Sequence, residues 1–176
     1  MVSQWQVPHK GWCTLNTNGS MVASTGFATC GRVLQNHVGD WLLGFFRKVG
    51  VYSVLEAELW GVAEGLRLAW DVGIQVMLFE VDNGNVARIV QDKARVSGLH
   101  ELVPTISELV GRDWVVRVRQ IRRSANMVAD GMANLVRSFY VSSLLDNGLA
   151  TQVFSMPRDE VVTLVLDDVS PVLGVV

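Results

Sequence analysis

The chain is most informative first in what it lacks. Its 176 residues contain no apolar run near the roughly 18 residues that cross a bilayer, so no membrane-spanning helix is expected. The opening M-V-S-Q-W-Q-V-P-H-K has neither the basic start nor the apolar stretch of a secretory leader, which makes an intracellular protein, nuclear or cytoplasmic, the expectation. Cysteine is scarce. Cys13 and Cys30 match no zinc spacing, and two such thiols read as buried and free rather than as a disulfide. Charged residues are only 18% against 49% hydrophobic, which excludes a disordered chain. A net charge of −2 argues against nucleic-acid binding through bulk charge. Internal repeats and low-complexity tracts are absent. Lysine is scarce too, with arginine supplying twelve of the 15 cations, and planar guanidinium suits phosphate contacts. Five arginines, Arg112, Arg117, Arg119, Arg122 and Arg123, fall close together, and Arg137 follows.

What is present is a clear order of elements. Trp12 to Asn18 alternates as a strand closed by Gly19-Ser20, and Thr25 to Gln35 and Trp41 to Val49 make two more around the turn N-H-V-G-D. These short connections predict an antiparallel meander. Leu55, Leu59, Val62, Leu66, Ala69 and Trp70 then recur at helical spacing, with Gly73 as the stop. Gln75 to Val81 is a short apolar strand, and a helix between two strands implies a parallel crossover. Short helices follow at Asn83 to Gln91 and Leu102 to Val110, a strand at Val115 to Ile121, and a last helix from an N-cap at Ser124 to Phe139. The expected fold is α/β: three antiparallel strands and then two parallel ones in a mixed five-stranded sheet with flanking helices. Residues 1–10 read as a lead-in, 11–140 as the domain and 141–176 as an extension, in which V-V-T-L-V-L could pair with a sheet edge or pack on the domain.

Three acids stand at telling positions. Glu58 lies roughly 60° from the apolar stripe of its helix, while Glu64 points nearly opposite. Asp82 ends F-E-V-D at the carboxyl end of a strand, where sites form in open α/β sheets, although it could equally N-cap the next helix. Glu80 shares its strand face. Asp130 sits early in the last helix, about 200° from the stripe of Val128, Met132, Leu135 and Phe139. Each is compatible with ordinary exposure. Brought together, clustered carboxylates call for hard divalent cations, and such sites cleave phosphodiesters.

Four motifs carry a resemblance: G-W-C-T-L-N-T-N-G-S at 11–20, L-E-A-E-L-W-G-V-A-E-G-L-R-L-A-W at 55–70, F-E-V-D-N at 79–83 and A-N-M-V-A-D-G-M-A at 125–133. In this order they resemble the type 1 ribonuclease H-like domain, in the plant retroelement-related, reverse-transcriptase-like form, over Gly11 to Phe139. The resemblance implies the same mixed sheet. It also implies Mg²⁺- or Mn²⁺-dependent cutting of the RNA strand of RNA–DNA hybrids, with two metal ions held by four acids. Carried onto this chain, the metal and catalytic positions are Asn18, Glu58, Asp82 and Asp130. Glu56 falls outside the match.

Two positions depart from the family pattern. Asn18 stands where the pattern has aspartate before Gly19, so the four positions carry three formal negative charges rather than four. Gln120 stands where the family often has histidine, and glutamine cannot move protons. The expected outcome is an impaired nuclease. The alternative is an inactive nucleic-acid-binding or protein-interaction domain, in either case a monomer. Arg119, Arg122, Arg123 and Asn126 are the candidate nucleic-acid contacts, reading backbone shape and 2′-hydroxyls rather than bases.

Overall fold

The computed structural model describes residues 8–92, 100–133, 151–157, 159 and 162–164. Its elements run β1 (Cys13–Met21), β2 (Phe27–Gln35), β3 (Trp41–Val51), α1 (Val54–Asp71), β4 (Val76–Val81), α2 (Gly84–Gln91), α3 (Val103–Val110), β5 (Val115–Gln120) and β6 (Gln152–Phe154). A short 3₁₀ turn, Arg123–Ala125, follows β5, and residues 127–133 form a further helix, α4. Arg137 and the expected helical residues 134–139 lie outside the described residues, as does the apolar end of the chain.

The sheet order is β5-β4-β1-β2-β3-β6. β1, β2 and β3 form the antiparallel meander, while β4 runs parallel to β1 and β5 parallel to β4. The five expected strands are therefore present with the expected directions. A sixth was not foreseen: β6 pairs antiparallel with Gly44 to Phe46 of β3 and comes from the segment read as an extension. Of V-V-T-L-V-L, residues 162–164 are helical and the other three lie outside the described residues. Aromatic contacts hold β6 against β3. The Phe154 ring tilts against Phe46 at 5.3 Å, and the Trp41 indole donates to the Phe154 carbonyl at 3.2 Å. The two cysteines are free, Cys30 buried and Cys13 partly so.

Alternation sorts the strand side chains onto two faces. Leu15, Leu34, Phe45, Phe79 and Val81 join Leu59, Val62 and Leu66 of α1, with Ile106 and Leu109 of α3, in the main core. Burying each such side chain contributes roughly 1.5–3 kcal/mol. On the opposite face α4 lies directly on β2: an added Cβ at Gly31 would stand 2.1 Å from the Ala133 nitrogen. Thr29 Oγ1 donates to the Ala133 carbonyl at 3.1 Å and fixes the same approach.

Two local readings change. α1 buries a wider face than its apolar stripe, so Glu64 does not point to solvent; it is buried and meets Arg47 of β3 at 2.5 Å. The last helix begins later than Ser124, since the 3₁₀ turn occupies that position. The first α-helical bond of α4 runs from the Asp130 N–H to the Asn126 carbonyl, at 3.0 Å.

Candidate active site

β1 and β4 lie side by side and parallel, so their carboxyl ends open at the same end of the sheet. α1 begins there as well. Ser53 and Glu56 close a capping box at its N-terminus, which assigns Glu56 to the cap and leaves Glu58 to turn inward. Gly19 permits this approach: a Cβ there would stand 2.6 Å from Glu58 Cγ and 2.8 Å from its backbone nitrogen. On the other face α4 delivers Asp130.

Asn18 is buried in β1, and its Nδ2 donates to Asp130 Oδ1 at 2.6 Å. Arg123 Nη2 donates to the same oxygen at 3.2 Å. Glu58 is 5% exposed, and its Oε2 has no hydrogen-bond partner. Burial first, and then the charge of Asp82, push its carboxyl up to about 7; Arg32, a hydrogen bond from Asn83 and Arg123 act against the rise. Asp82 is also raised, by burial first and further by Asp130, against the opposing pull of Arg123 and of backbone N–H groups. The helix that follows is capped by Asn83, whose Oδ1 accepts from the Asn85 N–H at 2.9 Å. Asp82 is therefore not the N-cap.

The four positions anticipated from the motifs come together. Asn18 touches Asp130, Asp82 stands between Asp130 and Glu58 electrostatically, and Arg123 faces all three acids. Among the described residues, no three Asp, Glu, His or Cys side chains are grouped so as to enclose a metal ion. The acids stand as neighbouring pairs, with Asn18 and Arg123 taking up Asp130.

The remaining anticipated residues have distinct placements. Gln120 ends β5 and donates from Nε2 to the Asp82 carbonyl at 3.4 Å, bracing the turn into α2. Arg119 pairs with buried Glu80, its Nε donating to Oε1 at 2.6 Å. Burial pushes the Glu80 carboxyl up to about 7, and Arg119 opposes the rise. Arg122 and Arg123 are exposed on the turn after β5. Asn126 is buried, with Nδ2 donating to the Thr17 carbonyl at 2.8 Å, so it ties α4 to β1 beside Asn18. Sequence reasoning missed Arg32 as a neighbour of Glu58. Its signal was a single cation inside the otherwise neutral run F-A-T-C-G-R-V-L.

The raised Glu58 pKa has a measurable sign. A buried acid that holds its proton to about 7, against an ordinary 4.5, is protonated in both states at low pH. As pH rises from about 4.5 to about 7 the unfolded chain releases that proton first, so stability falls through this window. The ceiling for Glu58 alone is roughly 3 kcal/mol. Urea titrations at pH 5 and pH 7.5 should show the loss, and Glu58→Gln should shrink it; an unchanged pH dependence in that variant would contradict the assignment.

A mixed sheet of this order, flanked by helices and with acids gathered at the β1–β4 end, has the ribonuclease H-like architecture. Residues 16–136 match the reverse transcriptase-like family, and the chain belongs to that family. It is similar to an Arabidopsis thaliana protein named "Putative ribonuclease H protein", with 34% identity over 167 residues. That match covers 93% of this chain and 25% of the relative, so the chain spans about a quarter of the relative's length. Among solved structures it is similar to the N-terminal RNase H domain of rv2228c from Mycobacterium tuberculosis, with a TM-score of 0.66 and 20% identity over 76% of this chain and 98% of that one. It is also similar to LC11-RNase H1, solved in complex with RNA/DNA hybrid, with a TM-score of 0.63 and 19% identity over 72% and 99% of the two chains. Among the described residues, no helix is long and apolar enough to cross a membrane.

Proposed function

We propose that this chain is a ribonuclease H-type domain that binds RNA–DNA hybrids, with metal-dependent cleavage of the RNA strand impaired at Asn18. The observation carrying this reading is the 2.6 Å bond from the Asn18 amide to Asp130. An aspartate at position 18 would present a carboxylate to Asp130, and the two would need a shared cation between them. The amide instead satisfies Asp130 directly.

The chemistry of the donors suits a hard divalent ion such as Mg²⁺ or Mn²⁺, although the three carboxylates stand as neighbouring pairs rather than as one cluster; one of them has a buried and unpartnered oxygen, Glu58 Oε2. Glu58, Asp82 and Asp130 would hold it, with the Asn18 amide oxygen as the weaker fourth donor. When bound, such an ion supplies a polarised water and stabilises the leaving oxygen. The chain's own residues set the stage. Asn126 and Gln120 hold β1, α4 and the Asp82 turn in register, while Arg122 and Arg123 offer exposed guanidinium groups to backbone phosphates. Gln120 can orient a group but cannot carry a proton.

Fluorescence anisotropy with labelled hybrid and duplex DNA of one sequence tests the binding half. The hybrid should bind at least fivefold more tightly at moderate salt, and both affinities should fall as salt rises. Equal affinity for the two would remove hybrid recognition. The cutting half is tested on labelled RNA in hybrid with Mg²⁺ or Mn²⁺, where no product from either this chain or its Asn18→Asp variant would remove the nuclease reading.

A further inference from the structure

Arg32 is a fully buried cation directly behind the candidate site. It lies in β2 between Cys30 and Leu34 on the face covered by α1, with no exposed surface. Burying a guanidinium costs heavily unless its donors are met. Here Nη1 donates to the Asn18 carbonyl at 2.7 Å and also to the Gly31 carbonyl, and Nη2 donates to the Glu58 carbonyl at 3.2 Å, while Nε is buried without a partner. One side chain therefore bridges the backbones of two candidate ligands, on β1 and α1. The space is provided by Gly61, where a Cβ would stand 0.5 Å from Arg32 Nη2. Arg32 in this position requires a glycine at 61.

The charge is not consumed by these bonds, since each acceptor is a neutral carbonyl. Cys30, Glu58 and Glu64 all bear on the guanidinium electrostatically. Glu64 is already shared by Arg47, at 2.5 Å, and Arg67, at 3.8 Å. Of these groups, Glu58 is the one that also belongs to the candidate site. Buried charges are little screened by salt, so the influence of Arg32 on the site persists in solution. Two features of the site act in one direction: position 18 carries no negative charge and position 32 contributes a positive one.

We propose that Arg32 is a positioning residue that acts as a built-in cation, locking the Asn18 and Glu58 segments together and lowering the site's affinity for a divalent metal ion. The inference rests on the reading of Glu58, Asp82 and Asp130 as the ligands of that ion. It assigns Arg32 part of the work the metal would otherwise do, which is holding β1 and the first turns of α1 together at one end of the sheet.

Mn²⁺ binding provides the test, read from the loss of the free-ion paramagnetic resonance signal in the absence of nucleic acid. Arg32→Met replaces the side chain with a neutral one of similar length and should bind Mn²⁺ at least tenfold more tightly than the native chain. Its melting temperature should also rise with added Mn²⁺ more than the native chain's does, as binding to the folded state requires. Arg32→Lys keeps the charge but loses the planar fork, and should stay within threefold of the native affinity. If Arg32→Met does not fold, Arg32→Gln, which retains an amide donor, carries the same expectation. Unchanged or weaker Mn²⁺ binding in the neutral variant would overturn the proposal, as would a lysine variant that behaves like the neutral one. Hybrid cleavage plays no part in this measurement. A failed Mn²⁺ result removes only the role of Arg32, whereas failure of Asn18→Asp to cut hybrid removes only the nuclease reading.

Discussion

Asn18→Asp is expected to raise the Mg²⁺- or Mn²⁺-dependent rate of RNA-strand cleavage in a hybrid on the order of 100-fold. That is the scale lost when one preorganised electrostatic group is taken from an active site. The change is almost isosteric, so the backbone of β1 has no reason to move. What changes is one of the partners of Asp130, while Arg123 remains beside it. The amide that now donates to Oδ1 at 2.6 Å becomes an acceptor, and two carboxylates face one another at the same spot. Without metal the variant should therefore lose about 1–3 kcal/mol of stability, through repulsion and the lost donor. Divalent ions should return much of it. Initial rates on end-labelled RNA, with melting curves at zero and millimolar Mg²⁺, check both halves. A variant that gains stability without metal, and no activity with it, would contradict the arrangement described for Asn18 and Asp130.

The second large effect is expected at a glycine remote in sequence from any acid. Gly31→Ala places a methyl group 2.1 Å from the Ala133 nitrogen, 2.6 Å from the Met132 carbonyl carbon and 2.7 Å from the Ala129 carbonyl oxygen. All three contacts are backbone atoms of α4, which cannot rotate out of the way as a side chain would. The helix must lift from β2, at a cost of about 3 kcal/mol for overpacking of this severity. Asp130 travels with it. In the Asn18→Asp background, Gly31→Ala should thus lower both the melting temperature and the cleavage rate. Conversely, a variant that melts normally and cuts normally would show that α4 is not seated as described.

Periodicity made most of this fold legible. Alternation in β1 to β3, the i, i+3, i+4 stripe of α1 and the short apolar run of β4 each depend on local burial, and local burial leaves a local pattern. The candidate site was legible for a different reason: its acids sit at strand ends and helix starts, which the same patterns locate. Three things were not readable in that way. β6 has only three residues, and it forms because Phe154 meets Phe46 and Trp41, residues more than a hundred positions away. Glu64 faces inward because Arg47 of β3 reaches it across the sheet, which no helical wheel can show. The pairing of Arg32 with Gly61 joins two elements through one close approach, and neither residue signals the other in the linear chain.

The setting of Asn18 has one more consequence, a chemical one. An asparagine followed by glycine is prone to deamidation, because the unhindered glycine nitrogen can attack the side-chain carbonyl and close a succinimide ring. In this protein the pair lies inside β1, held extended against Gly31 and Cys30, with the Asn18 amide committed to Asp130. Ring closure needs the backbone to leave the ladder. The strand that gathers the site therefore also protects its neutral residue from ageing into aspartate or isoaspartate, and peptide mapping of folded and urea-opened samples stored side by side would register the difference at position 18.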